Sequence, residues 1–380
     1  MEKFFKVAER GSTPAQEFRA GITTFLAMAY IIAVNPALLA AAGVPISAAI
    51  TATCLGGGVM TILMGLFANR PLACASGMGV NAVVAFSLTP IAGGDWHAAM
   101  AVIFIEGIAI LLLVLCGLRE AIMDAIPVNL RHAISVGLGL FIALIGLKNS
   151  GIIIANESTL VALGDIFSPT FIVGVISIVA TVVLYSARVK GSLLIGIILA
   201  VLIGIPLGVT STPTGVVSGL DFGTFGAPFL TDASGVMGIV KALTTPVLLV
   251  FAFSLMMSDF FDTMGSAMAI AKQGDFLTED GNVKDIKQIL IVDSAAAAAG
   301  GLFGASSITT FIESASGAAD GGRTGLSSVI TGLLFIAAAF IAPLISIVSS
   351  AATCGALVLV GFLMMSEVTE IDWNDLLEGF

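Results

Sequence analysis

Apolar segments about as long as a bilayer is thick recur along this chain. In lipid, every backbone N–H and C=O must find its partner inside the protein, so such runs fold as helices. A spanning helix needs roughly 20 apolar residues. Several runs approach or exceed that length, and about twelve hydrophobic segments are read, near 20–39, 47–68, 72–88, 98–117, 131–148, 168–187, 191–209, 246–270, 288–304, 307–320, 325–345 and 347–366. Charged residues make up 11% of the chain, whereas a soluble domain carries about 25%. The expected class is an all-α polytopic membrane protein. The 43 glycines suit helix packing in lipid, where small residues let backbones approach.

Basic residues orient the segments. With the N-terminus in the cytoplasm, Lys3, Lys6, Arg10, Arg19, Arg70, Arg119, Arg131, Arg188, Lys190, Lys272, Lys284, Lys287 and Arg323 fall inside. Only Lys148 and Lys241 fall outside. That is the positive-inside pattern of a multi-pass protein of the plasma (inner) membrane. The first 20 residues lack a signal-peptide core, so the first segment is its own targeting signal. Before it, Thr13, Pro14 and Gln16 form a capping-box start. Cys54, Cys74, Cys116 and Cys354 lie in apolar segments and read as reduced packing residues. The net charge of −10 is spread out, with no basic cluster, nucleic-acid motif or zinc-type spacing.

The longest loop, 210–245, is rich in Gly, Thr, Pro and Ser. It separates a first repeat of seven segments, 1–209, from a second of five, 246–380. The third segment carries Ala75-Ser-Gly-Met-Gly-Val-Asn81; the tenth carries Gly304-Ala-Ser-Ser-Ile-Thr-Thr-Phe-Ile-Glu-Ser-Ala-Ser-Gly317. Both are short and interrupted, and each is third in its half. Such matching segments point to a transporter site between inverted repeats. Non-helical backbone at that depth is tolerated only inside protein or lining a cavity.

Acids in apolar segments are the candidate functional groups, because charge at bilayer depth is costly. Asp259 and Asp262, spaced i and i+3, share one face of the eighth segment. One could hold a polar substrate and the other carry a proton; the bland alternative is solvated acids near Lys272. Glu313 has Ser306, Ser307, Thr309, Thr310, Ser314 and Ser316 nearby. A carboxyl accepts when ionised and donates when protonated, which suits a ligand with adjacent N–H and C=O groups. The Asn81 amide follows two glycines and is either a ligand contact or interhelical glue. Glu106, mid-way along the fourth segment, reads equally as proton relay or buried ion-pair partner. Asp293 reads as structural or solvated, and Asn35-Pro36 as a break near the outer end of the first helix. His97 and His132 lie at loop positions, and Arg323 reads as a cytoplasmic anchor.

At these residues the chain resembles the AzgA-type purine permeases of the nucleobase–ascorbate transporter superfamily. The matching stretches are Glu17-Phe-Arg-Ala-Gly-Ile-Thr-Thr-Phe-Leu-Ala-Met-Ala-Tyr-Ile-Ile-Ala-Val-Asn-Pro36, Gly77-Met-Gly-Val-Asn-Ala82, Ser135-Val-Gly-Leu-Gly-Leu-Phe-Ile-Ala-Leu-Ile-Gly-Leu-Lys148, Asp259-Phe-Phe-Asp-Thr-Met-Gly265 and Ser306-Ser-Ile-Thr-Thr-Phe-Ile-Glu-Ser-Ala-Ser-Gly317. The resemblance implies two inverted repeats of seven segments. A core domain from segments 1–4 and 8–11 would hold substrate, and a gate domain from segments 5–7 and 12 would move against it. It implies proton-driven import of guanine, hypoxanthine or adenine, with xanthine an outlying candidate. The implied substrate-binding residues are Asn81, Asp259 and Glu313, with Thr310 and Ser307 beside them. Proton coupling would fall to Glu313, Asp262, Asp259 and Glu106. No cofactor is implied beyond the proton as coupling ion. Lipid and a purine base are the expected partners, nucleic acid is not, and a homodimer is left open. The chain stops at Asp372-Trp-Asn-Asp-Leu-Leu-Glu-Gly-Phe380, just after the twelfth segment, so by this resemblance its last two gate segments are absent.

Two other readings use the same residues. An anion transporter of the same fold would want helix N-termini and a basic residue at the site rather than acids. An intramembrane enzyme would need a nucleophile–base or metal set; no histidine lies in a segment core and the cysteines are scattered.

Overall fold

The computed structural model describes residues 2–117, 128–213, 215–232, 235–279, 282–371 and 373. Arg119 and the C-terminal stretch 374–380 lie outside them. The described residues contain eight helices long and apolar enough to cross a membrane, with two shorter apolar helices, Met78–Ile91 and Ser192–Gly204. The chain forms two compact units, Met1–Arg119 with Ser218–Ala342, and Glu120–Val217 with Pro343–Phe380.

In the first unit, Pro14–Met28 opens as its sequence predicts. Thr13 Oγ1 accepts from Gln16 N at 3.2 Å, and Pro14 occupies the first turn. The interruption of this span does not fall at Asn35-Pro36. It falls at Ala29–Tyr30, after which a second piece, Ile31–Ala41, runs through Pro36. Proline costs that short helix one bond, and the chain tolerates it because Asn35 is tied sideways. Asn35 Nδ2 donates to Thr53 Oγ1 at 2.8 Å and to the Ala305 carbonyl at 3.0 Å.

Helix Ile46–Phe67 lies against helix Gly325–Ala338 along glycines. A Cβ on Gly58 would stand 2.8 Å from Gly332 O, and one on Gly332 would stand 2.5 Å from Gly58 O. Gly65 and Gly325 meet in the same way one turn-pair further along, closer still. Backbones this near replace the bulky apolar interlock of a soluble core, as small-residue packing in lipid requires.

The third segment begins as strand β1, Cys74–Ser76, then becomes helix Met78–Val83, a π-helical turn Val84–Leu88 and helix Thr89–Ile91. In the second unit, β2 (Ile153–Asn156) and β3 (Leu160–Leu163) form a hairpin that no periodicity in 149–167 had signalled. The tenth segment holds β4, Ile308–Thr310, followed by helix Ser314–Ala319. β1 and β4 pair antiparallel, Cys74 opposite Thr310, Ala75 opposite Thr309 and Ser76 opposite Ile308. Gly77 N donates to Ser307 O at 2.8 Å and Phe311 N to Ala73 O at 2.9 Å, closing the ends.

Two strands alone leave outer edges with unmet backbone groups, and side chains meet them here. Thr61 Oγ1 receives Cys74 N at 2.8 Å and donates to Cys74 O at 2.9 Å. Ser314 Oγ accepts from Ala73 N, and Asp293 Oδ1 from Thr310 N at 2.7 Å. This is how irregular backbone becomes affordable at bilayer depth.

The second unit packs helices Val128–Asn149, Pro169–Ser186, Ser192–Gly204 and Cys354–Met365. The seventh and twelfth segments are shorter than the hydropathy suggests: 205–209 and 347–353 form turns. Val183, Leu202 and Phe362 in this unit, and Phe253 and Leu333 in the first, are exposed. Large apolar side chains on the outer surface suit contact with lipid, while others, among them Phe260, Phe276 and Phe335, fill the interior.

Candidate functional site

The pairing of β1 with β4 gathers residues from six segments of the first unit. Asp293 anchors one side. It is 2% exposed in helix Ile286–Phe303. Its Oδ1 accepts from Thr310 N and from Thr310 Oγ1 at 2.8 Å, while Thr263 Oγ1 stands 2.5 Å from its Oδ2. Thr263 Oγ1 is also 3.0 Å from Thr309 Oγ1, which ties the eighth segment to β4. Asp293 is thus structural, and it is buried rather than solvated. Thr310, expected to bind substrate, has its hydroxyl committed to Asp293; what it contributes to the site is the shape of β4.

Asp259 lies one helical turn before Thr263 in Pro246–Gln273 and is 2% exposed. It is therefore not a solvated acid at the helix end. Asp262 is exposed, so the expected shared face of the two acids is divided. Residues i and i+3 are offset by about 60° around a helix of 3.6 residues per turn, and the edge of the buried face runs between them.

Glu313 caps the start of helix Ser314–Ala319 and is half-buried. Its Oε1 accepts from the Tyr30 hydroxyl at 2.5 Å. Tyr30 is fully buried at the break in the first span. The sequence reading missed it. Its signal was a tyrosine, one of two in the chain, inside an apolar segment; a buried tyrosine hydroxyl needs a partner.

Asn81 is fully buried one turn beyond β1. Its Nδ2 reaches Ser76 O at 3.4 Å, and its Oδ1 accepts nothing. The Ser307 hydroxyl at the start of β4 is buried and unpartnered, as are those of Ser76 and Ser306. Glu106, mid-way along helix Trp96–Leu115, is 1% exposed with neither oxygen hydrogen-bonded. Ser307 is its polar neighbour, short of hydrogen-bond geometry. The structure therefore brings Asn81, Ser307, Thr310, Asp259 and Glu313 around one strand pair, adds Glu106 behind Ser307, and leaves Asp262 on the exposed side.

The remaining candidates are architectural. His97 stands 3.1 Å from Asp95, and His132 3.3 Å from Glu367. Lys241 bridges Asp95 at 3.2 Å and Asp232 at 3.1 Å. Partial burial pulls the Lys241 ammonium down, and those two carboxylates outweigh it and hold it above the usual lysine value. Arg323 donates to the Ala318 and Gly322 carbonyls, and its backbone N–H to Glu17 Oε1 at 2.9 Å.

Buried carboxyls, an amide oxygen and hydroxyls beside a broken helix can hold a small polar molecule through paired donors and acceptors. Comparison with known proteins gives the family and the fold. The profile of the Permease family matches residues 15–379. Adenine permease AdeP of Escherichia coli is 38% identical over 385 residues, covering 100% of this chain and 83% of its own length. Guanine/hypoxanthine permease PbuO of Bacillus subtilis is 37% identical, covering 99% of this chain and 87% of its own length. Among solved structures, the transmembrane domain of a cyanobacterium bicarbonate transporter, BicA, superposes with a TM-score of 0.69 at 17% identity, over 95% of this chain and 89% of that one. That likeness assigns the inverted-repeat transporter fold. The relatives are permeases rather than enzymes, and this multi-pass membrane chain belongs to the Permease family.

Proposed function

We propose that the chain imports purine nucleobases (guanine, hypoxanthine or adenine) by proton symport through alternating access. The observation that carries this is the set of uncommitted buried polar groups around β1 and β4, in a chain whose relatives are purine permeases. A purine edge alternates N–H donors with ring-nitrogen and carbonyl acceptors. Glu313 takes an N–H from that edge, with Tyr30 fixing the carboxylate from behind. The Asn81 oxygen takes another, and Asp259 and the Ser307 hydroxyl complete the polar rim. The carboxyls Glu313, Asp259, Asp262 and Glu106 are the groups able to carry the coupling proton. Neutralising one lowers the cost of passing through a closed, dry intermediate.

The core is segments 1–4 and 8–11, and the gate is the other unit, moving relative to it. The positive-inside tally supports a cytoplasmic N-terminus, as for a protein of the inner membrane. An anion substrate would meet carboxylates where it needs positive charge, which disfavours that reading of the same fold.

The test is uptake of radiolabelled adenine, guanine and hypoxanthine into a bacterium lacking its own purine permeases and expressing this chain. Saturable uptake abolished by a protonophore is the expected result. Uptake that ignores the protonophore would remove proton coupling. Absence of uptake of all three bases, with the protein verified in the membrane, would remove the purine assignment.

A further inference from the structure

Carboxyls at bilayer depth differ in how they are supplied with donors: Asp259, 2% exposed, has one oxygen without a hydrogen bond and Glu106 has two. Asp293 is saturated by threonine hydroxyls and a backbone N–H. Glu313 has the Tyr30 hydroxyl. Asp262 is exposed. Glu106 has neither oxygen hydrogen-bonded, at 1% exposure. Its surroundings are tight as well as apolar. A Cβ on Gly107, the next residue, would collide with the Ala298 backbone, and one on Gly301 would stand 2.6 Å from Phe104 N. Helices Trp96–Leu115 and Ile286–Phe303 thus press together beside Glu106.

Ser307, at the entry to β4, is the polar side chain beside Glu106, and the stretch around it holds further buried polar atoms. Ser306 and Ser307 bring two fully buried, unpartnered hydroxyls. Ser306 holds a left-handed backbone, φ 67°, unusual for serine. Asn35, bonded through Nδ2 to Ala305 O, keeps an unpartnered Oδ1. On its own helix start, Asp95 and His97 hold each other and Lys241. The packed helices carry Asp259, Asp262, Lys272, Lys287 and Asp293. Among the described residues none forms an ion pair with Glu106.

We propose that Glu106 is the seat of the coupling proton, separate from the purine, and that the Ser307 hydroxyl reports its protonation to the substrate site. This rests on the proton-symport reading above and narrows it to one carboxyl. The proton arrives from the outer side, forms an O–H on Glu106, and leaves as that bond breaks on the inner side; no other bond changes. As an anion, Glu106 takes the Ser307 O–H. As an acid, it donates its own O–H to Ser307 Oγ, and the Ser307 proton is free to turn toward substrate. The same residue is fixed to the third segment, because Ser307 O receives Gly77 N at 2.8 Å and Gly77 O receives Asn81 N at 2.9 Å. A proton on Glu106 therefore bears on both strands of the crossing.

The test uses the purified full chain in liposomes, with Glu106→Gln and Ser307→Ala. Infrared spectra should show a protonated-carboxyl C=O band in the wild type that is lost in Glu106→Gln and displaced in Ser307→Ala. With one proton per purine, an inward gradient of about one pH unit supports about a tenfold purine accumulation, equivalent to about 1.4 kcal/mol. Glu106→Gln should bring that ratio to about one while purine counterflow stays measurable. The proposal is overturned if the band survives in Glu106→Gln, if the variant accumulates purine like the wild type, or if counterflow vanishes together with accumulation. Should the wild type itself move no purine, the transport reading fails. The infrared band then decides separately whether Glu106 holds a proton.

Discussion

Tyr30 and Asp293 show what a linear reading of this chain could and could not reach. The acids were visible because charge is conspicuous in apolar sequence. Their partners were not, since a hydroxyl or a backbone N–H carries no such mark and arrives from far along the chain. Tyr30 meets Glu313 across 283 positions. Asp293 read as structural or solvated, and the structure decides for the first, because β4 delivers a backbone donor and two threonines to it. Thr310 was legible as part of a polar cluster but not as a residue turned toward Asp293. The Tyr30–Glu313 bond carries a prediction at this scale. A hydrogen bond to a charged group contributes about 1.5–3 kcal/mol. Tyr30→Phe keeps the ring and removes the donor, so the KM for purine uptake should rise about tenfold to a hundredfold. Uptake kinetics measure it directly, and an unchanged KM would mean the carboxylate is oriented by something other than Tyr30.

At the scale of elements, the segments were readable and their interior geometry only partly so. Hydropathy located the third and tenth segments and their glycines marked them as interrupted. Nothing in the pattern specified that each would enter as a three-residue strand, because the pairing that stabilises β1 exists only when β4 is opposite. The β2–β3 hairpin was missed for a different reason: an exposed two-stranded ribbon needs little alternation to form. Proline at 36 was overweighted as a breaker, while the actual break at Ala29–Tyr30 has no proline at all. The glycine spacing of seven between Gly58 and Gly65, matched by Gly325 and Gly332, was present in the sequence but had no partner assigned to it. Now that the two helices are seen to meet there, it becomes a stability prediction. Gly325→Val would drive a side chain into the Gly65 backbone. Overpacking costs typically about 1–3 kcal/mol, occasionally more, and backbone cannot swing aside as a side chain can. The purified variant should therefore melt at a clearly lower temperature than wild type in the same detergent. Gly137→Ala, where a Cβ would meet nothing within 4 Å, should melt with the wild type. Equal melting of Gly325→Val would remove the close-approach account.

For the whole molecule, composition excluded a soluble fold outright, and two further signals carry the expected topology: matched interruptions in two halves, and asymmetric lysines and arginines. Both are global patterns, spread too thinly for any one segment to display, which is why they survive errors of several residues in segment ends. The asymmetry makes a claim about sidedness that can be checked without transport. The β2–β3 turn should face outward and the loop between helices Pro246–Gln273 and Ile286–Phe303 inward. Glu157 and Lys284 are exposed positions in those two loops. Of the native cysteines, Cys54, Cys74 and Cys354 are buried and Cys116 is exposed, so Cys116→Ser supplies a quiet background. In that background, Glu157→Cys should react with a membrane-impermeant thiol reagent on intact spheroplasts, and Lys284→Cys only after the membrane is opened. The reverse pattern would invert the molecule, placing the purine entrance and the proton supply on the wrong faces for import. Labelling of both positions from outside would show that the number of crossings between them is even rather than odd, and with it the inverted relation of the two halves would be lost.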